Sequence, residues 1–163
     1  MPTIVKSAHA QRRLPVNSKV EIRPYGSEDQ SQVVALWKAV FPDDPPWNDP
    51  VSVIRKKLTV QPELFLIGHV HGRIVATVMA GFDGVRGWIH HLAVHAEYRR
   101  NGIATMLMRS VEQGLEALGC PKVNLQVRAT NAAVVSFYRS LGYGVEERFS
   151  LGKRLGAARH PTV

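Results

Sequence analysis

The sequence has little cysteine and no long apolar run, and each shortage excludes a class of protein. Cys120 is the one cysteine among 163 residues, which rules out an internal disulfide framework and favours a reducing compartment. No apolar run approaches the roughly eighteen residues of a membrane span, and the first residues hold no apolar signal-peptide segment. We therefore expect a cytoplasmic protein without a membrane partner.

Acidic residues are absent from both ends of the chain. Residues 1–19 and 153–163 together carry seven Lys and Arg residues, which leaves only +1 of the formal charge of +8 for residues 20–152. The basic excess therefore says little about the folded surface, and we expect no nucleic-acid partner, although binding through the two ends is an alternative. Residues 1–18 lack hydrophobic periodicity and are predicted to be a disordered basic extension, with residues 156–163 as a flexible tail.

Two common phosphate-binding motifs are also missing, the GxxxxGK[ST] of a Walker A loop and the GxGxxG of a dinucleotide fold. One turn nevertheless suits a phosphate. A strand-like run over residues 88–94 and a helical apolar period over residues 102–118 flank Arg99, Arg100 and Gly102. The amides of a helix's first turn favour an anion, and glycine allows close approach of the backbone. A basic surface turn is the simpler interpretation.

The remaining patterns predict one α+β domain over residues 19–155. Strands are predicted over residues 20–25, 64–70, 73–82, 122–128 and 143–151, and helices from Ser27, over 51–60 and over 132–141. The turns His71-Gly72 and Asp83-Gly84 indicate an antiparallel meander. The helix of residues 102–118, in contrast, makes the strands before and after it parallel. The prediction is a mixed sheet in a single domain.

A loop with four prolines in nine residues, Pro42–Pro50, separates the first two predicted helices. It also contains Trp47, Asn48, Asp49 and two further aspartates, more aromatic and polar side chains than a simple connecting loop requires. The acids would suit a cationic ligand. A packed lid for Trp47 and a cap on the following helix for Asp49 are the simpler roles.

Two motifs carry a resemblance to a known family. Arg99-x-x-Gly102-x-Ala104, preceded by Leu92-x-Val94, resembles the pyrophosphate loop [QR]xxGx[GA] of the GNAT acetyltransferase superfamily. Residues 131–143 then resemble that family's NxxAxxxYxxxGF segment, in the family's order. Residues 46–50 and 151–155 further resemble the bacterial YpeA-type subgroup, so the resemblance covers residues 20–155.

The resemblance implies both a fold and an activity. The fold is a GNAT-like α+β arrangement, a mixed and mostly antiparallel sheet with a parallel strand pair at the cofactor site, flanked by about four helices. The activity is an acetyl-CoA-dependent N-acetyltransferase, an acyltransferase that moves an acetyl group to a primary amine by direct transfer in a ternary complex. A protein N-terminus, a lysine and a small amine all stay open as acceptors, as does a homodimer. A non-catalytic acyl-CoA-binding module is the alternative function.

The same resemblance assigns site residues. Strand backbone contacts the pantetheine arm and polarises the thioester carbonyl, and the amides of the turn hold the pyrophosphate. The cofactor-binding residues it implies are Leu92, Ala93, Val94, Arg99, Arg100, Asn101, Gly102, Ile103, Ala104, Thr105, Asn131 and Tyr138. The proline-rich loop flanks the acceptor site in the family, which makes Trp47, Asn48 and Asp49 candidate substrate contacts.

Tyr138 stands where the family has the catalytic proton donor for the departing thiolate. An ordinary tyrosine pKa of about 10 keeps it protonated at neutral pH. Asn131 lies seven residues earlier, close to two helical turns, which puts both on one helix face. The simpler roles are a core residue for Tyr138 and a helix N-cap for Asn131.

The base that would deprotonate the amine is less evident. Many GNAT proteins carry a glutamate on the strand before the turn, where this sequence has Trp88 and His90. Strict alternation predicts that His90 shares a face with Leu92 and Val94 and that His91 points the other way. His90 is therefore the candidate catalytic base, since a histidine with a pKa near 6.5 accepts a proton at neutral pH. A water or the acceptor itself is the alternative.

A metal site is not expected. His91 and His95 share a predicted strand face, but four residues of strand separate them by roughly 13 Å. Metal ligands lie at about 2 Å from one ion. Only a bulge in that strand would change this. We expect acetyl-CoA as cosubstrate and no metal.

Overall fold

The computed structural model describes residues 19–156, and they fall into two compact units. The first ends at Gln126 and the second begins at Val127. The disordered extension predicted at residues 1–18 lies outside the described residues, as does the flexible tail predicted at residues 156–163, except for Gly156.

The first unit is a five-stranded sheet with three α-helices. Its strands are β1 (Glu21–Pro24), β2 (Phe65–Val70), β3 (Arg73–Phe82), β4 (Gly87–Val94) and β5 (Val123–Asn124), and its helices are α1 (Gln30–Val40), α2 (Pro50–Lys57) and α3 (Ile103–Ala117). The strands follow each other in chain order across the sheet, antiparallel except for the parallel pair β4 and β5. The predicted mixed, mostly antiparallel sheet is confirmed. None of the helices within residues 19–156 is long and apolar enough to cross a membrane.

Two sets of helices bury the two faces of the sheet. Helices α1 and α2 bring Val33, Leu36, Trp37 and Ile54 into one core with strand residues such as Phe65. Helix α3 buries an apolar stripe at helical spacing against the strands, formed by Ile103, Leu107, Met108, Val111 and Leu115. Side chains of a strand alternate between faces, so each strand contributes to both cores.

Neighbouring residues of β3 show this alternation. The Thr77 hydroxyl accepts a hydrogen bond from Nε1 of Trp37 in α1, at 2.8 Å. Ala76 points the other way, because a Cβ built on Gly68 would meet both the Ala76 side chain and Ile103 of α3. The pairing of β3 with β4 therefore shows which β4 residues face α1 and α2 and which face α3.

Two predicted strands are wrong: one is much shorter than expected, and the other does not form. The strand expected over residues 122–128 is confined to Val123–Asn124, because the parallel ladder with β4 reaches only Gly87 and Trp88. The strand expected over residues 143–151 does not form. Its apolar side chains are exposed instead, Phe149 to 98% and Leu151 to 93%, so the alternating pattern meets no apolar layer that would bury it.

The start of the first helix, predicted at Ser27, also differs in the structure. Ser27–Asp29 is a short 3-10 turn, and α1 begins one residue after it. The Asp29 side chain stabilises this turn. Its Oδ2 accepts a hydrogen bond from the amide of Gly26 at 2.8 Å, and its two oxygens accept hydrogen bonds from both terminal nitrogens of Arg23 at 2.6 and 2.8 Å. The chain entering α1 is therefore held by a bidentate ion pair.

The second unit contains one helix, α4 (Ala132–Ser140). Asn131 caps it, as predicted, with its side chain accepting the amide of Val134 at 3.4 Å. The helix ends at Ser140, two residues before Gly142, whose φ of +94° suits glycine. The amide of Tyr143 donates back to the carbonyl of Tyr138 at 3.1 Å.

The Arg23–Asp29 pair generates a stability prediction. Asp29 is 3% exposed, and its ion pair with Arg23 lowers the pKa of its carboxyl group. Replacing Asp29 with Asn should lower the free energy of unfolding at pH 7 by about 1–2 kcal/mol, since half-exposed Arg23 is partly screened. The stabilisation is complete above the ordinary aspartate pKa and is lost as the pH falls through the lowered one.

Urea unfolding of Asp29→Asn beside Glu28→Gln measures this effect. Glu28 is the neighbouring exposed acid, so its variant removes the same charge without the hydrogen bonds. Equal stability of the two variants would show that the bidentate pair adds nothing.

Candidate active site

A β-bulge in β4 is the central feature of the site. Thr77 of β3 pairs with Ala93 and Met79 pairs with His90, so one residue of β3 faces His91 and Leu92 together. His91 takes up the extra length in a left-handed conformation with φ of +50°. This conformation is unusual for a residue other than glycine and needs support from its surroundings.

Buried contacts supply that support. The Trp37 indole donates to Thr77 Oγ1 at 2.8 Å, and the Thr77 hydroxyl donates in turn to the carbonyl of His91 at 3.1 Å. The His91 ring is tilted against Trp37 with centroids 4.3 Å apart, and the Phe41 ring meets it edge-on at 5.6 Å. The bulge is therefore held by α1 and β3 together.

The predicted orientation of the two histidines is wrong because of this bulge. His90 lies opposite Met79, and Met79 belongs to the core under α1 and α2. His91 contacts Trp37 of the same core. The extra residue interrupts the strict alternation, so His90 and His91 both face α1 and α2, whereas Val94 pairs with Ala76 on the α3 face.

His91 lies in a cleft of about 490 Å³ between the end of α1 and the proline-rich loop. Other residues lining the cleft include Trp37, Phe41, Asp44, Asn48 and Asp49. The predicted substrate contacts Asn48 and Asp49 thus lie at this cleft. Trp47 is 54% exposed on the same loop and is not part of the lining.

Asp49 has the structural role that was the simpler prediction. Its Oδ2 accepts the amide of Ser52 at 2.9 Å and caps α2, and this bond lowers the pKa of its carboxyl group. Asp44 lies elsewhere in the cleft, with Oδ2 at 3.9 Å from Nε2 of His91. The two carboxylates of the cleft therefore have different neighbours.

Both histidines are neutral at pH 7. Burial lowers the pKa of His91 to about 4, against the opposing charge of Asp44. His90 lies in a second cleft of about 310 Å³, which Lys57, Gln61 and Trp88 also line. Desolvation of its ring in this cleft, and then the charge of Lys57, lower the pKa of His90 although part of the residue is exposed. Each ring therefore offers one unprotonated nitrogen.

The predicted phosphate turn joins β4 to α3. Arg100 and Gly102 both have positive φ, +64° and +76°, and Gly102 is the N-cap of α3. Arg99 Nε donates to the Val94 carbonyl at 3.1 Å, and the Asn101 side chain donates to the carbonyl oxygens of Tyr98 and Arg99. These bonds fix the turn internally.

The space beside this turn is open. A Cβ built on Gly102 would meet no atom within 4 Å. The first turn of α3 carries no acidic residue. The first hydrogen bond within the helix runs from the amide of Met106 to the Gly102 carbonyl, so the amides before Met106 have no acceptor inside the helix. Those amides and the helix dipole give the turn a partial positive charge, so an anion fits here.

Tyr138 is buried in α4 of the second unit, where its ring contacts Phe137 and Tyr143. Burial raises the pKa of its phenol group to about 12. The phenol is therefore protonated at every physiological pH.

The histidines do not converge on one point. His95 accepts the amide of Glu97 at 3.3 Å and contacts Tyr98, whereas His91 is held by Trp37 and Phe41. Within residues 19–156 no three His, Cys, Asp or Glu side chains are grouped in a way that could hold a metal ion.

Residues 31–143 match the family model of the acetyltransferase (GNAT) family, which is more than half of the chain. The protein belongs to this family, and it is an acyltransferase of the acetyltransferase class. It is 44% identical over 136 residues to a protein named acetyltransferase from Yersinia pestis (strain Pestoides F), covering 83% of this chain and 96% of that one. A protein named acetyltransferase SG1711 from Sodalis glossinidius (strain morsitans) is 44% identical over 137 residues, with the same coverage.

Solved structures show the same fold. An aminoglycoside N-acetyltransferase, AAC(6')-Iy in complex with CoA, superposes with a TM-score of 0.73 at 17% identity, over 87% of this chain and 99% of that one. The ribosomal-protein-S18-alanine N-acetyltransferase from Escherichia coli gives 0.63 at 22% identity, over 76% and 77%. The predicted family and fold class are confirmed.

Sequence reasoning missed His91. It assigned the residue to the opposite face of the strand, and a bulge leaves no mark in an alternating pattern. The one available signal was that two histidines interrupt an otherwise apolar run, Trp88–Val94.

The burial of His91 generates a pH prediction. Its pKa is about 4 in the folded protein against 6.5 ordinarily, so between these values the unfolded chain binds a proton that the folded chain does not. Above the ordinary pKa, His91 should therefore have no effect on how the free energy of unfolding changes with pH. As the pH drops from there to about 4, the free energy of unfolding should fall by up to about 3 kcal/mol. His91→Phe, which has no titrating ring, should lack this share of the decline.

Urea unfolding of both proteins at a series of pH values from neutral to acid gives the comparison. Curves that stay parallel over the whole range would show that His91 is not held neutral by folding.

Proposed function

We propose that the protein transfers an acetyl group from acetyl-CoA to a primary amine, by direct attack of the amine on the thioester in a ternary complex. One observation carries the proposal: β4 leads into an open turn with two positive φ angles, which begins α3 and matches the family's pyrophosphate loop. An acetyltransferase needs a donor site of this kind.

The turn is proposed to bind the pyrophosphate of acetyl-CoA through the amides of Arg100 to Thr105. The open space beside Gly102, the helix dipole and the absence of an acid in the first turn of α3 support this role. Arg99 braces the turn through the Val94 carbonyl and adds positive charge. Asn131 is proposed as a further cofactor contact from the family resemblance alone.

The backbone of β4 is proposed to bind the pantetheine arm at Leu92, Ala93 and Val94. The parallel ladder to β5 includes only Gly87 and Trp88 of β4. The edge of β4 beyond Trp88 lies outside that ladder, so its amides and carbonyls suit an extended amide-bearing ligand. A β4 amide directed at the thioester carbonyl would stabilise the negative charge that develops there.

Proton transfer completes the reaction. The attacking nitrogen must be neutral, and the C–S bond breaks as the N–C bond forms, so that one amine proton goes to a base and the departing thiolate gains one. Tyr138 is proposed as the catalytic acid that protonates the thiolate, because its phenol is held in the protonated form. His90 remains the proposed base, with a water or the acceptor as the alternative.

The acceptor is proposed to bind at the cleft of the proline-rich loop, through Trp47, Asn48 and Asp49. Asn48 and Asp49 line this cleft, and Trp47 lies at the surface beside them. The cleft adjoins the bulge of β4 at His91. A protein N-terminus, a lysine and a small amine all carry the amino group that this reaction requires.

A non-catalytic acyl-CoA-binding module is the second candidate. It is favoured by the absence of a glutamate from β4, where Trp88 and His90 stand, and by the lowered pKa of His90, which weakens it as a base. Coenzyme A binding without turnover over a broad panel of amines would select this alternative.

The phosphate turn is tested by calorimetric titration with acetyl-CoA and with coenzyme A. We expect saturable binding of both to the wild type and loss of both in Gly102→Val, since valine would crowd the phosphates. Gly84→Val is the matched control, because Gly84 also has positive φ (+90°) and open surroundings but lies in the turn between β3 and β4. Similar losses in the two variants, or none in either, would remove the phosphate role from Gly102.

The acid is tested by Tyr138→Phe. Removal of the phenolic hydroxyl should lower kcat about 10- to 100-fold while the affinity for acetyl-CoA, measured by the same titration, stays unchanged. Phe137→Leu, at the neighbouring position, is the control: it changes the packing of the Phe137, Tyr138 and Tyr143 rings but keeps the phenol, so its kcat shows the effect of packing alone. Wild-type turnover in Tyr138→Phe would assign the proton to another donor.

A further inference from the structure

Asp44 and His91 are separated by a distance that leaves room for a third group. Oδ2 of Asp44 is 3.9 Å from Nε2 of His91, which is beyond a direct hydrogen bond. A nitrogen that makes hydrogen bonds of about 2.8 Å to both atoms would have an angle of about 90° between the two bonds. Two N–H bonds of an ammonium group, about 109° apart, can make both hydrogen bonds if each is bent by about 10°. Both side chains are largely buried, at 26% and 15% exposure.

The electrostatic character of the two groups suits a cation. His91 is neutral at pH 7, so in the tautomer with its hydrogen on Nδ1 the ring offers Nε2 as an acceptor. Asp44 contributes a carboxylate group, 3.9 Å from that nitrogen. Other charged groups at the cleft are Lys38, on α1, and Asp49, whose carboxylate already accepts the amide of Ser52.

The walls around this pair are apolar. The Trp37 and Phe41 rings contact His91, and prolines of the loop, Pro42, Pro45 and Pro46, line the same cleft. Aromatic faces attract a cation, and apolar walls favour an alkyl chain behind it. A volume of about 490 Å³ is ample for a small amine or one side chain.

We propose that Asp44 and His91 together bind the acceptor nitrogen in its ammonium form, which selects aliphatic amines that carry their charge at the end of an apolar stem. The bound nitrogen loses one proton to water before it attacks as a neutral amine. This inference rests on the proposed acetyl transfer for its biological meaning, but the binding of the amine does not require the donor. Asp44 determines the charge that is accepted, and His91 orients the nitrogen at the β4 bulge.

The test compares two neighbouring acids of one loop. Asp44→Asn and Asp43→Asn remove the same charge one residue apart, but Asp43 is exposed and does not line the cleft. With n-hexylamine and acetyl-CoA as substrates, Asp44→Asn should raise the KM for the amine at least tenfold and leave kcat within about twofold of the wild type. Asp43→Asn should leave both constants unchanged.

A second comparison isolates the ring nitrogen and the charge. His91→Phe keeps an aromatic ring on Trp37 without a nitrogen and should raise the same KM several-fold. The neutral analogue 1-hexanol should inhibit the wild type and Asp44→Asn equally, because it fills the apolar part alone. Urea unfolding of each variant separates these effects from a loss of fold.

The outcomes distinguish this inference from the proposed function. Turnover of amines with the same KM in Asp44→Asn and Asp43→Asn, or inhibition by 1-hexanol that depends on Asp44, would overturn the ammonium site and leave the acetyltransferase intact. If no amine is acetylated, calorimetric binding of n-hexylamine still decides: binding that Asp44→Asn weakens and Asp43→Asn does not supports the site, and equal or absent binding overturns it.

Discussion

A buried hydrogen-bonded chain from Trp37 through Thr77 to the carbonyl of His91 is the interaction on which the site depends. Thr77 is fully buried, and its single hydroxyl accepts from the indole and donates to the strand that bulges. Because an unsatisfied buried polar group costs more than a hydrogen bond gains, the three groups are mutually required. They tie α1, β3 and β4 to one geometry and thereby hold His91 in its left-handed conformation.

The bulge has a chemical consequence. It directs His90 and His91 to the same face of the sheet, one into each of two clefts, and desolvation lowers the pKa of each ring, more strongly for the buried His91. The turn at Arg99–Gly102 is built differently, from backbone amides and a helix dipole that do not titrate.

Elements defined by local rules were predicted well. The bounds of β3 agree with the sequence analysis, and those of α3 differ by a residue at each end, because turn residues and helical periodicity specify them within a few positions. The strands expected at residues 122–128 and 143–151 failed for the opposite reason. A strand forms only where a neighbouring strand makes backbone hydrogen bonds with it, and β-propensity alone does not supply that neighbour.

The sequence by itself determined the family, the mixed sheet and the turn that begins α3, because these depend on motifs and on periods that a short stretch of chain contains. Tertiary structure alone decided which face His91 occupies and that Asp44 lies beside it. The physical reason is that the bulge arises from a mismatch between two strands, stabilised by Trp37 some fifty residues away in the chain. For Asp49 the sequence left a substrate contact and a helix cap both open, and the folded chain shows that its carboxylate caps α2.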